Sequence, residues 1–183
     1  MTMRMRVASI VLLLALPATT LAHRLDEYLQ ATRFSLAADG IVLKMDLTPG
    51  VDVASLIFMS INTDRDGRIS EAEGRTYAVQ VLKEIVVEVD GRPLRLNLVS
   101  SQFPSFEEMR DGTGMIRIEA HAGWSGTPGP HTLFFENNHK SDLGAYLVNA
   151  LVPASRQIEI SGQHRDFVQR EMQLEFTLKP PAD

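Results

Sequence analysis

From Asn62 to Glu73 the chain reads NTDRDGRISEAE, a twelve-residue segment with oxygen-bearing side chains at its positions 1, 3, 5, 9 and 12. Gly67 stands at position 6 and the apolar Ile69 at position 8. Every donor is a hard oxygen. Such a set suits a hard divalent cation, and calcium takes about 6–8 oxygens at about 2.3–2.6 Å. Asn62 offers an amide oxygen, and Asp64 and Asp66 offer carboxylates. Arg68 offers its backbone carbonyl, leaving its side chain free. Ser70 can act directly or through water, and Glu73 can close the site with both carboxylate oxygens. Gly67 permits the sharp bend that turns the chain back across the ion.

A plainer reading covers part of the pattern. Ser70-Glu71-Ala72-Glu73 is also a helix capping box, and Asp-Arg-Asp-Gly is an ordinary turn. Those two readings account for Gly67, Ser70 and Glu73. They leave the alternation of Asn62, Asp64 and Asp66 unexplained. The flanks agree with a metal loop held between helices. Val53, Leu56, Ile57 and Ser60 fall at helical spacing before it, and Ala78, Val81, Leu82 and Ile85 follow it at i, i+3, i+4 and i+7. Gly74 sits inside the second helix at a local cost of about 1 kcal/mol against alanine. Residues 51–84 thus resemble the EF-hand family, which implies one calcium ion held by Asn62, Asp64, Asp66, Arg68, Ser70 and Glu73. Asparagine at position 1, the nearby Arg65 and Arg68, and the lack of a second such loop point to an affinity on the order of 10⁻⁴–10⁻³ M, as in extracellular modules.

The beginning of the chain reads as an export signal. Arg4 and Arg6 precede an apolar run from Val7 to Leu16, and Thr20-Leu21-Ala22 is a small-residue cleavage site. The run is too short for a membrane span, which needs about 20 apolar residues. Residues 1–22 are expected to be removed, placing a calcium-binding domain in the periplasm or outside the cell. The formal net charge is −5, and loss of the two leader arginines makes the product more acidic still. No basic tract points to nucleic acid as a partner. The chain has no cysteine, which excludes disulfides and thiolate metal sites.

Outside residues 51–84 the apolar pattern has period 2. Phe34 and Leu36 alternate with Arg33 and Ser35, and Asp39-Gly40 reads as a hairpin turn leading to Ile41, Leu43, Met45 and Leu47. Ile85, Val87 and Val89 run to a second turn, Asp90-Gly91, and a strand through Leu94, Leu96 and Leu98. Further strands are expected at Ile116–Ile118, Leu133–Phe135, Tyr146–Val152, Ile158–Ile160 and Met172–Leu178, with 101–114 as a long loop. About nine short strands predict a mainly β fold over residues 23–178: an antiparallel, immunoglobulin-like sandwich with the helix–loop–helix inserted after its second strand. Residues 179–183 form a tail.

Cleavage after Ala22 makes His23 the first residue. Its amine and imidazole could chelate copper, nickel or zinc, and exported β-sandwich copper carriers of the CopC family begin with such a histidine. His131 and His139 are further imidazoles that a second metal could use, whereas His121 and His164 read as solvent-facing. A transition-metal chaperone is therefore one alternative function. A partner-binding or adhesion module is another, with Phe103, Phe106 and Trp124 as its contact surface. No nucleophile elbow, zinc-protease helix or phosphate-cradling glycine loop is present, so no catalytic residue is assigned and an enzyme is not expected.

The order of segments carries a wider resemblance. AHRLDEYLQAT follows the leader, and DLTPGV, DRDGRIS, VDGRPL and YLVNALVP come after it. This series resembles the soluble lead domain of hydrogenase/urease accessory-type (HupE/UreJ) bacterial membrane proteins, over roughly residues 22–178. The resemblance implies an exported bacterial domain whose partner is a membrane protein of the cell envelope. The sequence shows no membrane helices after Leu178, so the nickel handling associated with that family is not transferred to any residue.

Overall fold

The computed structural model describes residues 25–180. The leader, its cleavage site, His23 and residues 181–183 lie outside the described residues. The first two strands, β1 (Tyr28–Ala37) and β2 (Gly40–Pro49), pair antiparallel along their whole length. Their turn is Ala38-Asp39, one residue earlier than expected, with Gly40 already in the ladder opposite Ala37. A close approach calls for glycine there: a Cβ on Gly40 would lie 2.4 Å from the Nε2 of His121. Period-2 alternation sends Phe34, Leu43, Met45 and Leu47 into the core with no exposed surface.

A helix–loop–helix follows, formed by α1 (Ala54–Ile61) and α2 (Glu71–Lys83). The buried face of α1 is Ala54, Ile57, Phe58 and Ile61, so Leu56, expected on that face, is exposed. The chain then runs through β3 (Ile85–Val89), the turn Asp90-Gly91 and β4 (Arg92–Pro93). Both turn residues have positive φ, 52° and 71°, the type I′ geometry that aspartate and glycine tolerate.

The strand expected through Leu94, Leu96 and Leu98 is divided. The chain leaves its first sheet after β4 and enters the other as β5 (Asn97–Gln102) beside β6 (Ile116–Gly123). Leu94 and Leu96 pack on the core along the crossing, and Leu98 does so from β5. The expected loop 101–114 also contains a short helix, α3 (Phe106–Arg110), started by a Ser105/Glu108 capping box.

The remaining strands are β7 (Gly129–Asn137), β8 (Gly144–Ala150), β9 (Ile158–Arg165) and β10 (Glu171–Leu178). The described residues form two five-stranded sheets, ordered β5-β6-β2-β1-β8 and β4-β3-β7-β10-β9. Pairing is antiparallel except between β1 and β8, which run parallel. The exception arises because residues 138–143 carry the chain from the end of β7 over to the other sheet, where β8 starts level with Tyr28. That short connection fixes the ends of the molecule. The starts of β1 and β8 lie with the end of β7 and the start of β10, so β10 runs away from that end to Leu178.

Both sheets and both long helices supply one hydrophobic cluster. Phe34 of β1 meets Phe135 of β7 edge-on at 4.9 Å between centroids, joining the two sheets. Full burial of such a side chain contributes about 1.5–3 kcal/mol before entropy. Phe58 of α1 meets Phe106 of α3 at 4.8 Å, so α3 packs under the first helix.

Candidate metal centre

The segment 62–70 spans the gap between α1 and α2, and each helix fixes one end of it. Asn62 is the C-cap of α1, its N–H donating to the Phe58 carbonyl at 2.9 Å. Its side chain is buried, with 5% exposure, and its Oδ1 has no hydrogen-bond partner. A buried carbonyl oxygen without a donor costs about 1–3 kcal/mol. The acids that follow form successive turns. The Asp66 N–H donates to Asp64 Oδ1 at 3.1 Å, and the Arg68 N–H donates to Asp66 Oδ1 at 2.8 Å. Arg65 (φ 62°) and Gly67 (φ 85°) are left-handed, which folds the backbone back on itself. A Cβ on Gly67 would meet nothing within 4 Å, so the φ angle and not crowding calls for glycine. Ile69 packs on the hydrophobic cluster and holds the loop against the domain.

Glu73 ties the two ends of the loop together. Its Oε1 accepts from the Thr63 N–H (2.6 Å), the Thr63 hydroxyl (3.0 Å) and the Asp64 N–H (3.3 Å). Its Oε2 accepts from the Ser70 N–H (3.0 Å) and the Ser70 hydroxyl (2.8 Å). Ser70 is also the N-cap of α2, accepting from the Glu73 N–H at 3.3 Å. The capping box and the loop-closing glutamate are therefore one structure. The Ser70 N–H and hydroxyl, with smaller help from Asp64 and Thr63, hold the Glu73 carboxyl down at about 2.

All six expected positions lie on this one loop. Among the described residues, no group of three or more histidine, aspartate or glutamate side chains is gathered into a preformed metal cage. Asp64, Asp66 and Glu73 are each held by backbone N–H groups. The donor set is oxygen throughout, includes three carboxylates, and contains one buried oxygen lacking a donor. Those properties fit a hard divalent cation and do not fit a soft one. Sequence reading gave Thr63 no role, because position 2 of such a loop carries no ligand.

The other expected ligands are engaged elsewhere. His131 holds Asp90 Oδ2 through Nδ1 (2.7 Å) and the Thr127 carbonyl through Nε2 (2.8 Å). His139, 2% exposed, holds Glu84 Oε2 through Nδ1 (2.6 Å) and the Tyr77 hydroxyl through Nε2 (3.0 Å). Both nitrogens of each ring are thus occupied. His164 is exposed, while His121, expected in solvent, is half-buried against Gly40. Phe103, Phe106 and Trp124 are half-buried on the core, facing Tyr77, Phe58 and Phe176 respectively. Comparison of the chain with protein-family models, with characterised proteins and with solved structures gave no match.

Proposed function

We propose that residues 51–84 are an EF-hand inserted into an exported, immunoglobulin-like sandwich, and that the domain binds one calcium ion as a structural clip. The observation that carries this reading is the buried, unpartnered Oδ1 of Asn62 at the head of an all-oxygen loop that Glu73 already closes. Asn62, Asp64, Asp66, the Arg68 carbonyl, Ser70 and Glu73 would hold the ion. Bound calcium would supply the positive charge that offsets three neighbouring carboxylates. The chain's own part is positional. Gly67 and Arg65 set the bend, Ile69 seats the loop on the core, and Ser70 starts α2 where Glu73 can reach back. A single loop in the weak range of affinity favours a fixture over a switch. An exported location suits a weak site, because millimolar calcium is what a Kd on the order of 10⁻⁴–10⁻³ M requires.

Calorimetry with calcium, together with thermal melting in calcium and in EGTA, tests the reading. The expected result is one ion per chain and a higher melting temperature in calcium. At a calcium concentration one hundred times Kd the stabilisation is about 2.7 kcal/mol. Glu73→Gln is expected to abolish the calcium-dependent difference. Identical melting in both buffers, with no binding heat at millimolar calcium, would overturn the proposal.

A further inference from the structure

The far end of α2 carries a second polar device, made of groups the calcium loop does not use. Tyr28 of β1, Tyr77 of α2, His139 of the 138–143 connection and Glu84, the C-cap of α2, form a single file. The Tyr28 and Tyr77 hydroxyls lie 3.1 Å apart, Tyr77 reaches His139 Nε2 at 3.0 Å, and His139 Nδ1 reaches Glu84 Oε2 at 2.6 Å. The main chain of His139 is held as well. Its carbonyl accepts from Gln30 Nε2 (2.8 Å) and the Tyr146 hydroxyl (3.0 Å), and its N–H donates to Asn137 Oδ1 (2.9 Å). The Asn138 N–H donates to the Glu84 carbonyl at 3.0 Å. The file therefore fastens α2 to both sheets.

The direction of each proton follows from the ends of the file. An ionised carboxylate only accepts, so His139 Nδ1 donates to Glu84. With a neutral ring, Nε2 then accepts from the Tyr77 O–H, and the Tyr77 oxygen accepts from the Tyr28 O–H. Every proton has an acceptor. With a protonated ring, Nε2 becomes a donor and takes the Tyr77 oxygen for itself. One of the two tyrosine protons then has nowhere to go, in a site where Tyr28 is 0% exposed and Tyr77 is 7% exposed. Buried donors without acceptors are rare because they are costly.

We propose that the Tyr28–Tyr77–His139–Glu84 file is an acid-sensitive latch: a neutral His139 fastens the C-terminal end of α2 to the sheets, and a protonated His139 releases it. The groups facing the ring are few. Glu84 favours its charge, and the adjoining Lys140 opposes it. Tyr77 and Tyr28 stay protonated, since burial raises both hydroxyls, Tyr77 to about 12. Tyr146, on the His139 carbonyl, is raised by burial too, with Arg170 and Asp142 as its charged neighbours. Burial lowers His139 more than Glu84 raises it, in line with the proton count.

Histidine NMR on the full chain, with amide protection factors measured across pH 4–8, tests the latch. His139 is expected to be the Nδ1–H tautomer at neutral pH and to titrate below the ordinary histidine value of about 6.5. Protection of residues 77–83 and 138–143 is expected to fall about tenfold or more through that titration, while β2 and β6 keep theirs. Two substitutions should move the midpoint in opposite directions. Glu84→Gln removes the charge that favours imidazolium and should lower it. Tyr77→Phe removes the proton that occupies Nε2 and should raise it. His139 titrating at or above the ordinary histidine value of about 6.5 would overturn the latch, as would unchanged protection of α2 or both variants shifting the midpoint the same way. If Tyr77→Phe does not fold, the parent chain and Glu84→Gln still decide.

Discussion

Gly74 lies near the start of α2, where an added Cβ would sit 2.7 Å from the ring of Phe103. In an open helix, glycine to alanine gains up to about 1 kcal/mol. Here the methyl would push a ring that also meets Tyr77 edge-on at 6.2 Å. Overpacking costs about 1–3 kcal/mol, so Gly74→Ala is expected to destabilise the protein by about 1 kcal/mol in urea unfolding. Phe103→Leu in the same chain should recover most of that loss, and a gain from Gly74→Ala alone would contradict the packing argument. The sequence showed Gly74 only as a helix penalty, because the residue that explains it arrives 29 positions later, through the fold. Glu73 was legible because its partner Ser70 is local. Thr63 was not, since its bonds to Glu73 exist only once the loop has closed.

Among the elements, α3 repeats in five residues the chemistry that starts α2. The Ser105 N–H donates to Glu108 Oε2 at 2.7 Å, and the Glu108 N–H donates to Ser105 Oγ at 3.3 Å. The helix buries Met109 completely and supplies Phe106 to α1. Ser105→Ala is expected to cost about 1 kcal/mol, read as an earlier denaturant midpoint with unchanged m-value. A fall in m would instead mean that the whole segment had detached. The helix is too short to show periodicity, which is why residues 101–114 read as a loop. Strands β2 and β10 were legible because alternation over Ile41–Leu47 and Met172–Leu178 names a buried face. Alternation does not say which sheet a strand joins. That is why the crossing at Leu94–Leu96 and the parallel β1–β8 pair needed the fold.

For the whole molecule, two histidines give stability opposite pH dependences. Both partners of His131, a carboxylate and a carbonyl, only accept, so the pair of bonds requires the imidazolium. Partial burial opposes that charge, but Asp90 and the Thr127 carbonyl outweigh it and raise His131. Its contribution is fully present below the unfolded value of about 6.5 and is lost as pH rises through the raised folded value. His139 is lowered, so its contribution is present above about 6.5 and is lost as pH falls through the lowered value. His131→Asn is expected to shrink the drop in melting temperature between pH 6 and pH 8 while leaving the acid limb in place. An unchanged alkaline drop in that variant would remove His131 from the account.

The strand directions have one more consequence. Residue 25 enters beside the helices, whereas β10 carries the chain about 26 Å along its eight residues to the opposite end. A pull between residues 25 and 180 would therefore act along the lengths of β1 and β10, which belong to different sheets. The ladder bonds on either side of each strand would be sheared together, not unzipped one by one. Between residues 25 and 180 the fold thus resists tension by shear in both sheets at once.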